Sequence, residues 1–250
     1  MLQINIAGKT DVGRKRTNNE DVFKIEPKLG FCLVADGLGG AAAGEVASRI
    51  FLESAMKVFQ HPIDRTVINV TQRVQISFLM ANEAIMNHVK ENPAHKGMSC
   101  TAELLGFSEE EFVLGHIGDS RTYRLRDGQL RKLTQDHSFV QQLIDKGILT
   151  PENARKHPLR NVIHKAVGID RQIELDIVRS KFLPQDQYLL CSDGLTDMVT
   201  ENMIWDALNS NMAVNQKVNH LIELALSAGG FDNVTVVLLE FVDSDRQYSF

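Results

Sequence analysis

No apolar run in this 250-residue chain approaches the roughly 20 residues that a membrane-spanning helix needs. Residues 1–5 show no basic region leading into an apolar segment, so we expect no export signal. The cysteines Cys32, Cys100 and Cys191 are far apart and have no metal-type spacing, which indicates reduced thiols rather than disulfides. These absences predict a cytoplasmic protein with no membrane partner.

Basic residues are in the minority. The chain has 27 lysines and arginines against 32 aspartates and glutamates, a net charge of −5, which argues against nucleic acid as a partner because there is no basic excess to displace counterions. A hydrophobic fraction of 43% is enough for a proper core. No repeat, low-complexity segment or Pro/Gly/Ser-rich linker divides the chain. We therefore expect a single domain over residues 1–242, a frayed tail over 243–250, and a monomer.

Apolar residues recur with two periods along the chain, which indicates both strands and helices. Short apolar segments predict strands over 4–8, 22–25, 31–35, 101–107, 112–117, 122–126, 129–133, 173–178, 187–191 and 233–241. Helical spacing predicts helices over 45–59, 65–91, 139–146, 203–209 and 214–227, with one more opening at Thr150-Pro151-Glu152. Strands and helices grouped in this way are typical of an α+β fold, here two antiparallel sheets packed face to face with helices outside.

The most informative stretch is the pair Asp36-Gly37, which follows the apolar run 31–34 and precedes Gly39 and Gly40. An aspartate at the tip of a buried strand is costly unless it has a partner. The glycines let the backbone approach a ligand closely, and a carboxylate with bare carbonyls suits a hard cation such as Mg²⁺ or Mn²⁺. An ordinary Asp-Gly turn explains the same residues without a metal. For this stretch alone both interpretations stay open.

The same pattern, an acid where an apolar segment begins or ends, recurs at Asp21, Asp119, Asp193 and Asp232. Strand ends that gather at one edge of a sandwich would bring these side chains together with Asp36. Five ionised carboxylates share a site only when cations neutralise them. The chain has no His-x-x-x-His or Cys-x-x-Cys pair, so two or more oxygen-bound Mg²⁺ or Mn²⁺ ions are favoured over zinc.

Two such ions suit phosphate chemistry, because they lower the pKa of a bound water and stabilise the oxygens of the attacked phosphate. An arginine is then expected to hold the phosphate through paired N–H bonds. Arg16 lies close enough in sequence to Asp21 to reach the same place. A solvent-exposed basic turn, the natural interpretation of Arg14 and Lys15, is on its own merits the stronger interpretation for Arg16 as well.

Together these residues form the pattern of a known family. The chain resembles the bacterial branch of the metal-dependent Ser/Thr protein phosphatases, the type 2C family. The matching motifs come in the family's order and span about residues 5–241: Thr10-Asp11-Val12-Gly13 with Arg16 and Asn19-Glu20-Asp21, Ala35-Asp36-Gly37-Leu38-Gly39-Gly40, Met98-Ser99-Cys100-Thr101-Ala102, Gly118-Asp119-Ser120-Arg121, Ser192-Asp193-Gly194-Leu195-Thr196-Asp197, and Asp232-Asn233-Val234-Thr235. One motif alone would be weak evidence, whereas six in order are specific.

The resemblance implies a four-layer α-β-β-α sandwich with two Mn²⁺ or Mg²⁺ ions, and a possible third, in a channel between the sheets. It implies that Asp36 bridges two ions, that the Gly37 carbonyl holds one of them, and that Asp193 and Asp232 complete the other. Asp119, with help from Asp193, would form the weaker third site.

The resemblance assigns the remaining site residues as well. Glu20 and Asp21 would act mainly through metal-bound waters, and Arg16 would bind the phosphate. We therefore expect a catalytic set of Arg16, Asp36, Asp193 and Asp232. The implied reaction is direct attack of a hydroxide bridging the two ions on phosphorus, with no phosphoenzyme, and no cysteine or serine lies in a nucleophile motif.

The implied substrates are phosphoserine and phosphothreonine residues of bacterial proteins, with Ser/Thr kinases and their targets as partners. The segment from 136 to about 168, which breaks the strand pattern, matches the position of the family's flap, a mobile segment beside the active site that influences substrate choice.

One departure from the family concerns the general acid. Animal members carry a histidine soon after the Asp-Gly pair, whereas Leu38 and Gly39 occupy that region here, as is general in bacterial members. His137, at the start of the flap, is a candidate only by location, and a solvent-exposed loop histidine is the favoured interpretation. His116 lies in strand sequence and is expected to be a packed core histidine.

Two other functions compete with an active protein phosphatase. A pseudophosphatase would keep the fold and bind phosphoproteins without hydrolysing them, but such a protein should have lost Asp36, Asp193 or Asp232, and all three are present. A stress-signalling phosphatase acting on a phosphorylated anti-sigma antagonist would usually have a sensory domain and a less complete set of motifs.

Overall fold

Two antiparallel sheets pack face to face at the centre of the protein. The computed structural model describes residues 2–39, 43–61, 67–108 and 111–243. In spatial order, the first sheet contains β1 (Leu2–Asp11), β11 (Val234–Asp243), β10 (Gln187–Cys191), β7 (Arg121–Arg126) and β8 (Gln129–Lys132). The second contains β2 (Asp21–Glu26), β3 (Phe31–Leu38), β5 (Ala102–Phe107), β6 (Glu111–Ile117) and β9 (Asp176–Lys181), and the short β4 (Ser99–Cys100) pairs with the end of β3.

Helices cover the outer face of each sheet. The second sheet is covered by α1 (Gly44–Gln60) and α2 (Val67–Glu91), and the first by α5 (Asp193–Thr196), α6 (Glu201–Leu208) and α7 (Val214–Ser227). Two short helices, α3 (Phe139–Asp145) and α4 (Pro151–Ala154), lie in the segment that the sequence assigns to the flap. None of the helices in the described ranges combines the length and the apolar character that crossing a bilayer requires.

Alternation of side chains along each strand produces the layers. On β3, Phe31 and Leu33 pack towards α1 and α2, whereas Cys32 and Val34 point into the core between the sheets. A strand buried on both faces reads as a continuous apolar run, because successive side chains point in opposite directions. The same alternation on β11 supplies both the α7 core and the central core. The four-layer α-β-β-α sandwich predicted from the sequence is confirmed.

Some boundaries differ from the predicted ones. The strand predicted over 173–178 is displaced, since β9 begins only at Asp176, where its pairing with His116 starts. Ile173 and Leu175 are apolar because they pack, as loop residues, against the core beneath α1 and α2. The four-residue α5 was missed because it is too short to show helical periodicity. The predicted start of α2 at Arg65 and the frayed tail beyond Asp243 fall outside the described residues.

Candidate active site

The predicted acidic residues meet around one cavity at an end of the sandwich. Its volume is about 380 Å³. Strands of both sheets end or begin there, and their residues lie beside the loop that joins β1 to β2. The chemistry-bearing residues of its lining are Arg16, Glu20, Asp36, Gly37, Asp119, Asp193 and Asp232.

Asp21 lies beside the cavity, directly opposite Asp36 in the β2–β3 register. Its side chain is buried, and its Oδ2 accepts a hydrogen bond of 2.7 Å from the Ser192 hydroxyl. Its Oδ1 is also buried and has no hydrogen-bond partner within the described part of the chain. Burial raises the pKa of Asp21 to about 6.

Mutual repulsion acts on the other carboxylates of the cavity. Burial, reinforced by the negative charges of Asp21 and Asp193, holds the pKa of Asp36 well above its ordinary value. Burial and repulsion from Asp119 likewise raise the pKa of Asp193. Asp119 itself has its pKa raised to about 7, above all by burial. A positive charge in the cavity would relieve all of these interactions.

Arg16 reaches the rim of this cavity. Its Nη2 donates a hydrogen bond of 2.8 Å to Oδ2 of Asp232, and this bond raises the pKa of Arg16. The side chain is 51% exposed, as an exposed turn would predict, yet it is aimed at the carboxylates rather than into bulk water. Arg16 therefore places a positive charge at the rim of the cavity, beside the carboxylates.

Asn233 ties the loop carrying Arg16 to the start of β11, a role that the sequence did not reveal. Its Oδ1 accepts a 2.8 Å hydrogen bond from the backbone N–H of Glu20, and its Nδ2 donates 2.9 Å bonds to the carbonyls of Val12 and Asn18. Asn233 is buried, so no water replaces these bonds readily. Its position after Asp232 in a matching motif was the only available signal.

Two glycines permit close backbone packing at the cavity. A Cβ on Gly37 would lie 2.1 Å from the Gly44 carbonyl oxygen, and one on Gly194 would lie 1.9 Å from that of Asn233. Real Cβ atoms essentially never approach so closely, so both positions require glycine. This packing holds the strand ends that carry Asp36 and Asp193 in place.

The donor set of the cavity fits a hard cation. It consists of carboxylates and backbone carbonyls, and the buried Oδ1 atoms of Asp21 and Asp193 have no hydrogen-bond partner among the described residues. As the side chains stand, no three acidic, histidine or cysteine residues in the described ranges are grouped closely enough to enclose an ion. The chemistry and the charge thus favour divalent cations, while the assignment of individual ligands stays a prediction.

One of the two histidines considered from the sequence, His137, is not where it was predicted to be. The prediction that His137 is solvent-exposed is wrong: its side chain is buried, against the ring of His116 at 4.7 Å. His116 is buried, as predicted, and contacts the carboxylate of Glu103. The described residues that line the cavity include no histidine, so neither ring is placed to protonate a leaving group there.

The flap, residues 136–168, borders a second cavity of about 590 Å³. This cavity lies between the flap and the α5–α6 region, and it shares Asp119, Asn161 and Asp193 with the first. Arg155 on the flap donates a 2.8 Å hydrogen bond to the Thr196 carbonyl, and Arg160 lies 3.7 Å from Asp197. The two cavities are therefore contiguous, so a ligand too large for the first has the flap cavity beside it.

The three cysteines offer no nucleophile to either cavity. All are free and fully buried, which agrees with the prediction of core thiols for Cys32 and Cys191. Burial raises the pKa of each thiol, so none is a thiolate at neutral pH.

Comparison with known proteins relates this arrangement to one family. The family model described as "Protein phosphatase 2C" matches residues 11–227. Serine/threonine protein phosphatase PstP of Mycobacterium tuberculosis is 39% identical over 244 residues, 98% of this chain, but the chain spans only 46% of PstP. Serine/threonine phosphatase stp of Listeria welshimeri is 36% identical over 93% of this chain and 94% of its own length.

Solved structures agree with the sequence relatives. The M. tuberculosis PstP/Ppp structure has a TM-score of 0.90 at 37% identity, over 97% of this chain and all of that one. A second PstP catalytic-domain structure, in complex with two manganese ions, has a TM-score of 0.88 over the same shares. On the extent of the family match and on this identity, the chain belongs to the protein phosphatase 2C family of metal-dependent phosphoprotein phosphatases.

Proposed function

We propose that the protein hydrolyses phosphoserine and phosphothreonine in other proteins and so reverses the action of Ser/Thr kinases. One observation carries this proposal. Acidic residues from both sheets line the 380 Å³ cavity, and Arg16 lies at its rim. Such a cavity holds cations and, through them and the arginine, a phosphate dianion. The names of PstP and stp, both serine/threonine phosphatases, support the same substrate class.

We propose the cation ligands that the resemblance to the family implies. Asp36, the Gly37 carbonyl, Asp193 and Asp232 would hold two Mn²⁺ or Mg²⁺ ions, with Glu20 and Asp21 contributing through water. When bound, such ions lower the pKa of a water and stabilise negative charge on phosphoryl oxygens. The two manganese ions in the related PstP domain support this number.

The chain's own residues provide substrate binding and orientation. Arg16 would donate paired N–H bonds to the phosphate, a geometry that lysine cannot reproduce. Ser192 and Asn233 hold Asp21 and the Glu20 backbone in fixed positions. In the proposed reaction the oxygen of water joins phosphorus, the bond from phosphorus to the Ser or Thr oxygen breaks, and that oxygen takes up a proton. The buried thiols support a route without a cysteine phosphoenzyme.

Asp119 would provide a third, weaker cation site with Asp193. Its support is its position in both cavities and its raised pKa, which burial causes above all and the charge of Asp136 increases. Titration calorimetry with Mn²⁺ tests it: wild type should show one weak site more than Asp119→Ala. Equal stoichiometry in the two proteins would remove the third site.

The function is tested by hydrolysis of p-nitrophenyl phosphate and of a phosphothreonine peptide with Mn²⁺, with Mg²⁺ and with EDTA. We expect turnover of both substrates that depends on metal and that EDTA stops. Absence of turnover with either metal, from protein shown to be folded, would contradict the proposal and favour a phosphoprotein-binding module.

A further inference from the structure

His137, at the base of the flap, contacts the turn between β6 and β7 through its backbone and its ring, and its neighbour Asp136 pairs with Arg121 at the start of β7. The His137 backbone N–H donates a 2.7 Å hydrogen bond to the Gly118 carbonyl. In return, the Gly118 N–H donates a 3.1 Å bond to Nδ1 of the His137 ring. The backbone and the side chain of His137 thus hold both polar groups of Gly118.

His137 also lies where the two ends of the flap meet. Its carbonyl accepts a 2.9 Å hydrogen bond from the N–H of His164, and the next residue along, Ser138, forms an isolated bridge with Ile163. One residue further into the flap, the Phe139 N–H donates a 2.8 Å bond to the Val162 carbonyl. The outgoing and returning segments of the flap therefore pair at the same residue that holds Gly118.

The surroundings of the ring determine which nitrogen carries its proton. Nδ1 accepts from Gly118, so in the neutral ring the proton is on Nε2, which lies 3.4 Å from Oδ2 of Asp176. Burial and the neighbouring His116 lower the pKa of His137 to about 4, so the ring is neutral at pH 7. Only the neutral ring protonated on Nε2 can both accept from the Gly118 N–H at Nδ1 and present an N–H to Asp176.

The turn that His137 holds includes Gly118, a position that requires glycine. Gly118 has φ +109°, a conformation that favours glycine, and a Cβ there would lie 2.5 Å from the Thr101 side chain. The next residue, Asp119, lines both the carboxylate cavity and the flap cavity. A change in the Gly118 peptide would reorient Asp119 at the boundary between the two.

We infer that His137 is a positioning residue that fixes the flap and the Asp119 carboxylate in one relative orientation through the acceptor at Nδ1. This inference rests on the proposed phosphatase function for its kinetic consequence only. On a phosphopeptide, which extends from the carboxylate cavity along the flap, the orientation matters more than on a small phosphoester that fills the first cavity alone. Its structural consequence, restraint of the Gly118 peptide and of the flap, is independent of any activity.

The test compares wild type with three variants of the full chain. His137→Leu removes the acceptor, His137→Asn places an amide oxygen near the position of Nδ1, and His220→Leu removes a histidine on α7 as a control. In hydrogen–deuterium exchange, we expect peptides covering 117–121 and 139–162 of His137→Leu to exchange about tenfold faster, the equivalent of one lost hydrogen bond. Peptides from β10 and β11 should be unchanged, and His137→Asn should resemble wild type.

The kinetic comparison uses the same proteins. We expect kcat/KM of His137→Leu to fall about tenfold on a phosphothreonine peptide, with a much smaller fall on p-nitrophenyl phosphate. A folded His137→Leu protein with wild-type exchange over 117–121 and 139–162 would overturn the inference. If exchange is faster in His137→Leu but wild type has no turnover at all, the positioning role is supported and the phosphatase proposal is contradicted. Failure of the inference and failure of the proposed function are therefore distinguishable.

A measurement on wild type covers the case in which His137→Leu does not fold. Long-range ¹H–¹⁵N NMR spectra report the tautomer of each histidine ring. We expect a His137 ring protonated on Nε2, with an unprotonated, hydrogen-bonded Nδ1 that persists from about pH 7 to about pH 5. A ring protonated on Nδ1 cannot accept from Gly118 and would overturn the inference.

Discussion

The carboxylate cavity and the flap lie side by side and share Asp119, Asn161 and Asp193, yet they are built differently. The cavity consists of strand ends whose positions follow from the register of two sheets. The flap consists of helices of seven and four residues, and its apolar Ile148 and Leu159 are 66% and 46% exposed. Sheet register fixes one region, whereas the other is attached through its base and two arginines.

This difference separates two kinds of effect. Under the proposed function, substitutions in the cavity should act on every phosphoester, because each would be bound at the carboxylates. Substitutions in the flap should act on extended substrates, because only these would reach it.

Asp36→Asn should have the largest effect on activity. Under the proposed assignment, loss of the Asp36 carboxylate would remove a cation ligand, and bound cations would supply several kcal/mol of transition-state stabilisation, so kcat/KM should fall on the order of 10³-fold on both substrates. In EDTA the same variant should be at least as stable to urea as wild type, because one repelling charge has left the cavity. Steady-state kinetics and urea unfolding measure the two effects.

The matched control is Asp206→Asn, an exposed position on α6. It should leave kinetics and stability unchanged. Retained turnover of Asp36→Asn with Mn²⁺ would remove Asp36 from the cation site.

Asn233→Ala should have the next largest effect, on stability as well as activity. The variant leaves the Glu20 N–H and the carbonyls of Val12 and Asn18 without their partner, which should cost about 2–4 kcal/mol of the free energy of unfolding. Urea denaturation measures this change. The exposed Asn215→Ala on α7 is the control, and an equal loss in both variants would contradict the proposed connection between loop and strand.

Comparing Asp36 and Asp193 with Asn233 shows how much of the site could be predicted from the sequence. Asp36 and Asp193 were identified because each follows a run of apolar strand residues, a local pattern that a sequence displays. The bonds of Asn233 join residues more than 200 positions apart, and no local pattern records them. Only its place in a family motif drew attention to it.

The flap shows how much of the fold could be predicted from the sequence: its helices were, and the burial of one of its side chains was not. Its two helices were predicted from spacing and from Thr150 and Pro151 at a helix start. The burial of His137 was not predicted, because it results from packing on His116 and from hydrogen bonding to Gly118, both contacts of tertiary structure. Histidine is intermediate in its preference for burial, so the sequence alone does not decide its exposure and tertiary packing does.

Arg16→Ala should act on substrate binding. Removal of a charge-assisted bond to phosphate should raise KM for the phosphothreonine peptide about tenfold or more, with a smaller change in kcat. Because Arg16 belongs to the cavity and not to the flap, p-nitrophenyl phosphate should be affected to a similar degree. Lys15→Ala, in the same exposed loop, is the control, and a fall in kcat alone would contradict a role in ground-state phosphate binding.

The pH dependence of stability in EDTA should show the smallest effect, with opposite signs in the two regions. The raised pKa values of Asp21, about 6, and Asp119, about 7, mean that the folded state holds protons that the unfolded state has lost, so their contribution to stability falls as the pH rises from about 4 to about 7. The lowered pKa of His137, about 4, means that the unfolded state binds a proton first, so its contribution falls as the pH drops below about 6.5. Urea unfolding of wild type, Asp119→Asn and His137→Asn over this range separates the two.

Relative to wild type, Asp119→Asn should gain stability towards pH 7, and His137→Asn should gain it towards pH 5, each on the order of 1 kcal/mol. Added Mn²⁺ should reverse only the first trend, since cations bind ionised carboxylates and stabilise the folded state most where protons do not compete. The cavity and the flap base would then respond to different ligands, one to metal and one to protons alone. Equal responses of Asp119→Asn and His137→Asn to Mn²⁺ would mean that the two regions form a single electrostatic unit, and the separation between chemistry and substrate contact would fail with it.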